Sequence, residues 1–459
     1  MHHSRFSRRE FLGVGVAAGA SLVGDRLSAG PLPLGGLPAP RPAPPPAGAP
    51  SDRVRFGIIG VGMQGSGLLA NAVQLPNVEC AAACDLYDGR HALAREIVRP
   101  DLPVTRRYQD LLNDKNIDCV IAAVPDHWHQ QILVDAVGAG KDVYCEKPMS
   151  HDVAAGVAML DAAKKSGRIV QVGSQRVSSQ LCARARDMIA RGTLGTLTLV
   201  EGWMGRNDPT GAWQYPPPPG LSPANLDWDT WQGRVPKRAF DPAIFARWRA
   251  YRDYGTGVAG DLLVHLVSGM MFMLGTTDPP ARAAATGGVR RWKDGRTLPD
   301  VLATTFDYGG LPVYLRLNLG SASAETYRFH GSKGVLELTN GDTLTFTPQT
   351  GEDSGPSYYA TNSYPRAMRE AYVRQWHADN DARLAREAVT EVVTVRGPSY
   401  DELAPHLATF FDAVRTRRPV VEDAQFGHNA ALACHMANAS YFRDGAAVTW
   451  DPAARALRG

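Results

Sequence analysis

Short apolar runs alternate with amphipathic segments between residues 53 and 174. The strand-like runs are Val54–Ile59, Val78–Cys84, Cys119–Val124, Val143–Cys145 and Ile169–Val172. The segments with helical periodicity between them are Leu68–Leu75, His91–Val98, Ile132–Ala139 and Val153–Lys165. Strands that alternate with helices are typical of βαβ units, whose strands lie parallel in one sheet. The pattern predicts an α/β domain over residues 53–174.

The pattern changes after Gly195, where strand-like segments follow one another with little helix between them. These segments are Thr196–Gly202, Val301–Tyr308, Val313–Asn318, Thr326–His330 and Gly334–Thr339. Tight-turn dipeptides such as Gly309-Gly310 and Asn340-Gly341 join several of them. Helical patterns follow at Arg366–Arg383, Leu403–Arg415 and Asn429–Phe442. We expect residues 175–459 to form an α+β domain with a large, mostly antiparallel sheet.

The N-terminus reads as a targeting segment. Arg8 and Arg9 precede an uncharged stretch from Gly13 to Gly24, and a charged segment before a short apolar one is typical of a secretory signal. The paired arginines resemble the twin-arginine export signal; the alternative is an amphipathic first helix, but the stretch is apolar on all sides. We expect residues 1–30 to be a signal peptide read by the twin-arginine export machinery, and the protein to be periplasmic.

Residues 31–52 consist mostly of Pro, Gly, Ala and Leu. Such a stretch favours extended geometry and cannot pack a core. We expect a linker, with an arm that wraps a neighbouring subunit as the alternative.

Composition excludes some classes of function. The formal net charge is +3 and no long basic run occurs, so nothing supports nucleic-acid binding. Beyond the first 30 residues, no apolar run is long enough for a stable membrane span. The six cysteines form no Cys-x-x-Cys pair, and we expect the fold to need no disulfide.

A glycine-rich turn directly follows the first predicted strand. The residues are Gly60-Val61-Gly62-Met63-Gln64-Gly65, and a predicted helix begins there. Such glycines allow a tight turn and close approach to a pyrophosphate, which the helix N-terminus stabilises. Between a strand and a helix, this motif favours a Rossmann dinucleotide site over a purely structural turn.

Asp85 ends the second predicted strand. An acidic group there can bind the adenosine ribose hydroxyls and would repel a 2′-phosphate, so we expect NAD. Asp85 could instead serve a turn, and Arg90 could bind a phosphate, which leaves NADP open.

Glu146-Lys147-Pro148 ends the strand Val143–Cys145. In open parallel sheets, ligands bind beyond the carboxyl ends of the strands, and a lysine there can donate hydrogen bonds to a substrate oxygen and to the cofactor ribose. Position alone does not distinguish Lys147 from a surface lysine.

Asp261 and His265 lie four residues apart in a helical, otherwise apolar stretch. That spacing places both on one helix face. A carboxylate can orient an imidazole, and a histidine can remove a hydroxyl proton. The alternative is a satisfied Asp–His pair at the start of a helix.

From Val54 onward the chain resembles the Gfo/Idh/MocA oxidoreductases, the group of glucose-fructose oxidoreductase and inositol dehydrogenase. The resemblance rests, in order, on Gly60–Gly65, Pro125-Asp126-His127-Trp128-His129, Glu146-Lys147-Pro148 and the Asp261…His265 pair. One departure is the segment Leu262-Leu263-Val264, which lacks the glycine usual between the family Asp and His.

The resemblance implies an N-terminal Rossmann domain, a nicotinamide cofactor and an active site at Lys147, Asp261 and His265, with His265 as general acid/base. The residues expected to bind the cofactor are Gly60, Gly62, Met63, Gln64, Gly65, Asp85, Pro125, His129, Glu146 and Lys147. It also implies dimers or tetramers formed between the open sheets.

An aromatic and arginine-rich segment spans residues 227–254. Aromatic faces and guanidinium groups suit a sugar, so substrate-binding candidates are Trp231, Arg247, Trp248 and Tyr254. Core packing is the alternative for these residues. His127-Trp128-His129 lacks a third ligand with telling spacing, so we predict no metal site.

The expected reaction is NAD(P)-dependent hydride transfer at a sugar or polyol CH–OH group. His265 would take the hydroxyl proton, Asp261 would orient His265, and Lys147 would polarise the oxygen. Two alternatives remain. The first is a redox-neutral enzyme that retains NAD and acts either between two sugars or on a glycoside by oxidation, elimination, hydration and reduction. The second is a cofactor-bound sensor without turnover.

Overall fold

The computed structural model describes residues 53–349, 355–387, 392–397 and 402–459. The expected signal peptide and the Pro-rich linker lie outside these residues. Within them, every helix is too short or too polar to cross a bilayer.

The first sheet has six parallel strands in the order β3-β2-β1-β4-β5-β6. They are β1 Val54–Ile59, β2 Val78–Cys84, β3 Val104–Thr105, β4 Cys119–Ala122, β5 Asp142–Glu146 and β6 Val170–Gly173. The helices that connect them are α1 Met63–Ala72, α2 Asp88–Ile97, α3 Tyr108–Asn113, α4 His129–Gly138 and α5 Val153–Ser166. This order is that of a Rossmann fold, so the predicted fold class is confirmed for the first domain.

The second sheet has ten strands in the order β14-β13-β12-β11-β7-β10-β9-β8-β15-β16. They are β7 Leu197–Gly205, β8 Arg282–Gly288, β9 Val301–Tyr308, β10 Leu311–Asn318, β11 Ser323–Gly331, β12 Gly334–Thr339, β13 Thr343–Pro348, β14 Val393–Arg396, β15 Val448–Asp451 and β16 Ala456–Arg458. Neighbouring strands are antiparallel except β7 and β10, which pair in parallel. The prediction of a large, mostly antiparallel sheet is confirmed.

Seven further helices accompany the second sheet in the described ranges. They are α6 Gln180–Ala190, α7 Trp228–Trp231, α8 Pro242–Ala246, α9 Val264–Leu274, α10 Arg366–Glu387, α11 Leu403–Thr416 and α12 Ala424–Tyr441. A π-helical turn, Ala259–Leu263, runs directly into α9. The buried face of α9 packs among the apolar side chains of β10, β11 and α12.

Helix α11 returns to the first domain. Its Phe410 and Phe411 are fully buried, and the Phe411 ring centroid lies 5.4 Å from that of Phe56 on β1. Helix α12 follows, and its glycine Gly427 sits so close to Val172 on β6 that a Cβ there would lie 2.3 Å from a Val172 methyl carbon. The two sheets are therefore joined by packing as well as by the chain between them.

Candidate active site

The glycine turn between β1 and α1 has two glycines that the fold itself requires. Gly60 has a φ of +89°, and a Cβ there would lie 2.3 Å from the carbonyl oxygen of Ala123. A Cβ on Gly65 would lie 2.0 Å from the carbonyl oxygen of Gly60. Both approaches are far below any tolerated contact, so the turn can form only with glycine at these positions.

Gly62 is different, because its nearest neighbour is a single flexible side chain. A Cβ on Gly62 would come no closer than 3.4 Å to Arg90. Gly62 instead lines the crevice beside the N-terminus of α1, together with Met63 and Gln64. An open floor beside unpaired helical N–H groups fits a pyrophosphate, so these residues fit the dinucleotide that the sequence predicts.

Asp85 ends β2 and is buried. Its Oδ2 accepts a hydrogen bond from the N–H of Val61 at 2.8 Å, and its Oδ1 accepts one from the N–H of Tyr87 at 3.0 Å. Arg90 Nη1 lies 3.4 Å from Oδ2, and its guanidinium carbon lies 4.9 Å above the Phe245 ring. Asp85 thus holds the glycine turn in place. Its predicted contact with the ribose stays a prediction, and Arg90 lines the same crevice.

Two strand ends form the wall opposite the glycine turn. Pro125, after β4, and Glu146, at the end of β5, line the crevice. Glu146 is buried, and its Oε1 accepts hydrogen bonds from Gln64 at 3.0 Å and Gln175 at 3.1 Å. Burial raises the pKa of Glu146 despite the neighbouring charge of Lys147. The carboxyl therefore ties α1 to the loop after β6.

His129 does not line the crevice as the resemblance implied. Its side chain is 1% exposed. Its Nδ1 lies 2.8 Å from the carbonyl oxygen of Pro148, and its Nε2 lies 2.9 Å from that of Val124. His129 is the first residue of α4, and its ring is buried between the backbone carbonyls of Pro148 and Val124. It holds together the loops that carry Pro125 and Lys147.

Lys147 and Asp261 form an ion pair, and both residues line the crevice that contains Gly62. Lys147 Nζ donates to Asp261 Oδ1 and to the Asp261 backbone oxygen, each at 2.9 Å. Arg249 Nε donates to the same Oδ1 at 3.0 Å, and Trp213 Nε1 donates to Oδ2 at 3.1 Å. Burial alone would raise the pKa of Asp261, but the charges of Lys147 and Arg249 outweigh it and hold that pKa well below its usual value. Asp261 is therefore a carboxylate.

His265 borders one cavity together with Lys147 and Asp261. Burial and the nearby charges of Lys147 and Arg176 hold the pKa of His265 well below its usual value, so the imidazole is neutral. Its Nδ1 is buried without a hydrogen-bond partner among the described residues. The expectation that Asp261 orients His265 is wrong, because the hydrogen bonds of the Asp261 carboxylate go to Lys147, Arg249 and Trp213.

A tyrosine side chain from the second sheet holds the backbone of His265. Tyr327 on β11 donates its hydroxyl to the His265 carbonyl oxygen at 2.9 Å. The preceding turn, Ala259–Leu263, is π-helical, a form found frequently at functional sites. Asp261 lies within this turn and His265 in the helix that follows it, and both border one cavity.

The aromatic segment divides into two sets. Trp231 and Trp248 line the crevice, which also contains Lys147 and Asp261, and their predicted role in substrate binding stays a prediction. Tyr254 does not, because it is fully buried and packs against Trp231 with ring centroids 4.8 Å apart. Arg247 turns away as well: its Nε donates to the carbonyl oxygen of Tyr215 at 3.1 Å. These two substrate-binding predictions are wrong, since one residue is core and the other supports a loop.

Several residues at the site were missed by sequence reasoning. They are Trp213, Gln175, Arg206, Tyr215 and Arg249. Arg249 lies two residues from the predicted Arg247, so the correct segment was found with the wrong side chain. The others belong to loops without a motif, and only the folded sheet brings them to Lys147.

Two family models match the chain. Residues 54–174 match the oxidoreductase family with an NAD-binding Rossmann fold, and residues 225–337 match the GFO/IDH/MocA C-terminal domain. The chain belongs to the Gfo/Idh/MocA oxidoreductase family. The site described above lies between the two parts that these models cover, with Lys147 in one and Asp261 and His265 in the other.

Curated relatives of this Gfo/Idh/MocA protein include inositol dehydrogenases. Inositol 2-dehydrogenase of Salmonella paratyphi B is 33% identical over 153 residues, which are 32% of this chain and 45% of that enzyme. The scyllo-inositol 2-dehydrogenase (NADP(+)) IolW of Bacillus subtilis is 23% identical over 283 residues, 61% of this chain and 67% of that enzyme. The first of these matches thus spans less than half of the relative.

Solved structures share the fold over most of the chain. Levoglucosan dehydrogenase in complex with NADH and levoglucosan has a TM-score of 0.61 at 18% identity and covers 86% of this chain and 99% of that one. The aldose-aldose oxidoreductase from Caulobacter crescentus complexed with glycerol has a TM-score of 0.62 at 16% identity, with the same coverage of 86% and 99%. At these identities the likeness establishes the fold.

Proposed function

We propose that the protein is an NAD(P)-dependent oxidoreductase that acts on a CH–OH group of a sugar or related polyol. One observation carries this proposal: Lys147, Asp261 and His265 border a single cavity that also reaches Met63 and Gln64 at the start of α1. The amine, the carboxylate and the imidazole thus face one small molecule beside the dinucleotide site.

The Lys147 ammonium has three donors. Two of them bind Asp261, and the third is left to donate to the substrate oxygen. Because Asp261 fixes the amine from one side, Lys147 can hold that oxygen in a single orientation and stabilise negative charge on it.

His265 is the proton acceptor in this proposal. The neutral ring can take the hydroxyl proton at Nε2, since Nδ1 is the nitrogen enclosed by protein. A bound nicotinamide dinucleotide supplies the two-electron acceptor or donor for the neighbouring carbon. The residues that would hold it are Gly62, Asp85 and Pro125, with Glu146 supporting the wall.

The deciding experiment replaces His265 with Ala and follows NADH absorbance with a panel of sugars, polyols and glycosides. We expect turnover to be lost while NADH binding, measured by fluorescence, stays within about twofold. The exposed His377, on α10, serves as the control in His377→Ala. Normal turnover in the His265 variant would refute the assignment.

A redox-neutral version of this function is favoured by one feature, the paired Arg8-Arg9 of the sequence. A protein exported folded would carry its dinucleotide with it and would have to regenerate it on the same site. We propose export by the twin-arginine route. Product masses from the same panel separate the two versions: conversion without net NADH supports the redox-neutral one, and stoichiometric NADH excludes it.

A further inference from the structure

We infer that the substrate carries a carboxylate and that Arg206 binds it. The inference rests on the proposed function and narrows its substrate class to sugar acids such as uronates. The observation behind it is a guanidinium group that has no partner among the described residues, at cavities where Lys147, Arg249 and Arg176 are each paired with a carboxylate.

Arg206 follows directly after β7 and lines both cavities that share His265. One of these cavities also contains Lys147 and Asp261. The other, on the side of the second sheet, contains Arg176 and Glu325. Arg206 does not line the crevice that contains Gly62 and Arg90. We therefore do not assign it to the pyrophosphate.

The other charged side chains around His265 are engaged. Asp261 binds both Lys147 and Arg249. Arg176 binds Glu325 through two hydrogen bonds of 2.8 and 2.9 Å and lies 3.5 Å from Glu402. Lys147, Arg249 and Arg176 thus each have a carboxylate within ion-pair distance.

The unpaired charge belongs to Arg206. Within residues 53–349, 355–387, 392–397 and 402–459 its guanidinium makes no hydrogen bond or ion pair. The nearest acidic residue along the chain, Asp208, instead accepts a hydrogen bond from the N–H of Gly211 at 2.7 Å.

An unpaired, partly buried guanidinium beside a catalytic cavity suits an anion, because arginine offers two parallel N–H donors that match a carboxylate. A single guanidinium carries one charge, which a carboxylate monoanion balances, whereas a phosphate brings nearly two. A sugar acid placed with a hydroxyl at Lys147 and His265 and its carboxylate at Arg206 would therefore supply the counter-charge that Arg206 lacks.

The test measures equilibrium binding of matched pairs to the NADH-loaded protein by calorimetry. The probes are D-glucuronate against D-glucose, and D-galacturonate against D-galactose, with D-glucose 6-phosphate as the dianion. We expect the uronates to bind more tightly, and Arg206→Gln to weaken them by about 10- to 100-fold while leaving the neutral sugars unchanged. Arg206→Lys should retain part of the preference, and the exposed Arg191→Gln should change nothing.

Three outcomes would overturn the inference: neutral sugars that bind as well as uronates, a preference for the phosphate, or equal losses for both members of a pair in Arg206→Gln. If the protein turns over neutral sugars but not uronates, the inference is wrong and the proposed function is still supported. Uronate binding that depends on Arg206, with no NADH formed and no product of changed mass, would support the inference and sink the proposed function.

Discussion

Lys147 Nζ lies 2.9 Å from Asp261 Oδ1, although 114 residues separate the two along the chain. The pair joins the end of β5 in the first sheet to the π-helical turn before α9 in the second domain. Both side chains are largely shielded from water, with 12% and 13% exposed. The same contact therefore serves the stability of the fold and the geometry of the cavity.

Asp261→Asn should lower both activity and stability. The variant leaves Lys147 and Arg249 without a counter-charge, and breaking a buried ion pair typically costs about 3–5 kcal/mol. The measurement is urea unfolding together with kcat/KM. As a control, Asp253→Asn removes the exposed partner of Arg238 and should cost less than about 1 kcal/mol. Equal losses of unfolding free energy and of kcat/KM in the two variants would contradict the role of Asp261 as a buried counter-charge.

Gly62→Ala and Gly65→Ala should separate cofactor binding from folding. A Cβ on Gly62 has room within the protein, while one on Gly65 would lie 2.0 Å from a carbonyl oxygen. We expect Gly62→Ala to keep the wild-type Tm but to bind NADH at least tenfold more weakly, by roughly 1.4 kcal/mol. Gly65→Ala should lower the Tm. Unchanged NADH affinity in the Gly62 variant would contradict the placement of the pyrophosphate there.

The acid limb of kcat/KM should lie below pH 6.5. His265 must be neutral to accept a proton, and its pKa is held well below the usual histidine value by burial and by Lys147 and Arg176. The rate therefore stays constant as pH falls through 6.5 and drops only further down. A pH profile of the NADH-forming reaction tests this, and an acid limb above pH 6.5 would mean that another group carries the proton.

Stability should fall as pH decreases from about 6.5 to 4. Burial lowers the pKa of His127 and of His406 to about 4, whereas an unfolded histidine titrates near 6.5. In this window the unfolded chain binds protons that the folded protein does not, so each histidine contributes a slope of up to about 1.4 kcal/mol per pH unit. Buried Glu146 acts in the opposite direction, because its raised pKa lets the folded protein bind a proton that the unfolded carboxyl does not; the histidines must outweigh it for the predicted fall to be seen.

Urea unfolding at several pH values measures that slope. His406→Gln should reduce it by up to one proton, because His406 is 1% exposed and its charged form is excluded from the fold. The exposed His377 gives the control in His377→Gln, which should leave the slope unchanged. A slope that is the same in both variants and the wild type would contradict this role for burial.

Export is tested by changing Arg8 and Arg9 together to lysine. We expect the double variant to remain in the cytoplasm, because the twin-arginine signal depends on the arginine pair. Cell fractionation and immunoblotting measure this, with Arg41→Lys as the control. Export of the double variant at the wild-type level would refute the proposed route.

Periodicity predicted five of the six strands of the first sheet, because each of those five is a short apolar run between polar turns, and it missed the two-residue strand β3. Val78–Cys84 was predicted with its exact bounds. The helical periodicity of α1 is visible only from Leu68 although the helix begins at Met63, because the glycines of its first turn carry no apolar side chain. Strand β8, Arg282–Gly288, was missed because alanine and glycine carry little strand signal.

The site shows the same limit. Lys147, Asp261 and His265 could be identified one by one, because each belongs to a motif. Their mutual contacts could not, since the partners of Asp261 depend on how two domains pack. Arg249 and Arg206 became visible only through the cavity that they border, and sequence patterns do not describe cavities.

The return of α11 to the first sheet has a consequence for engineering. Phe410 and Phe411 cover the apolar side of β1 and its neighbours, so a fragment that ended before residue 402 would leave that surface open to water. Cutting this protein into an autonomous nucleotide-binding module, or grafting another module in its place, would have to carry α11 along. Helix α11, in the last eighth of the polypeptide, is thus a structural part of the first domain.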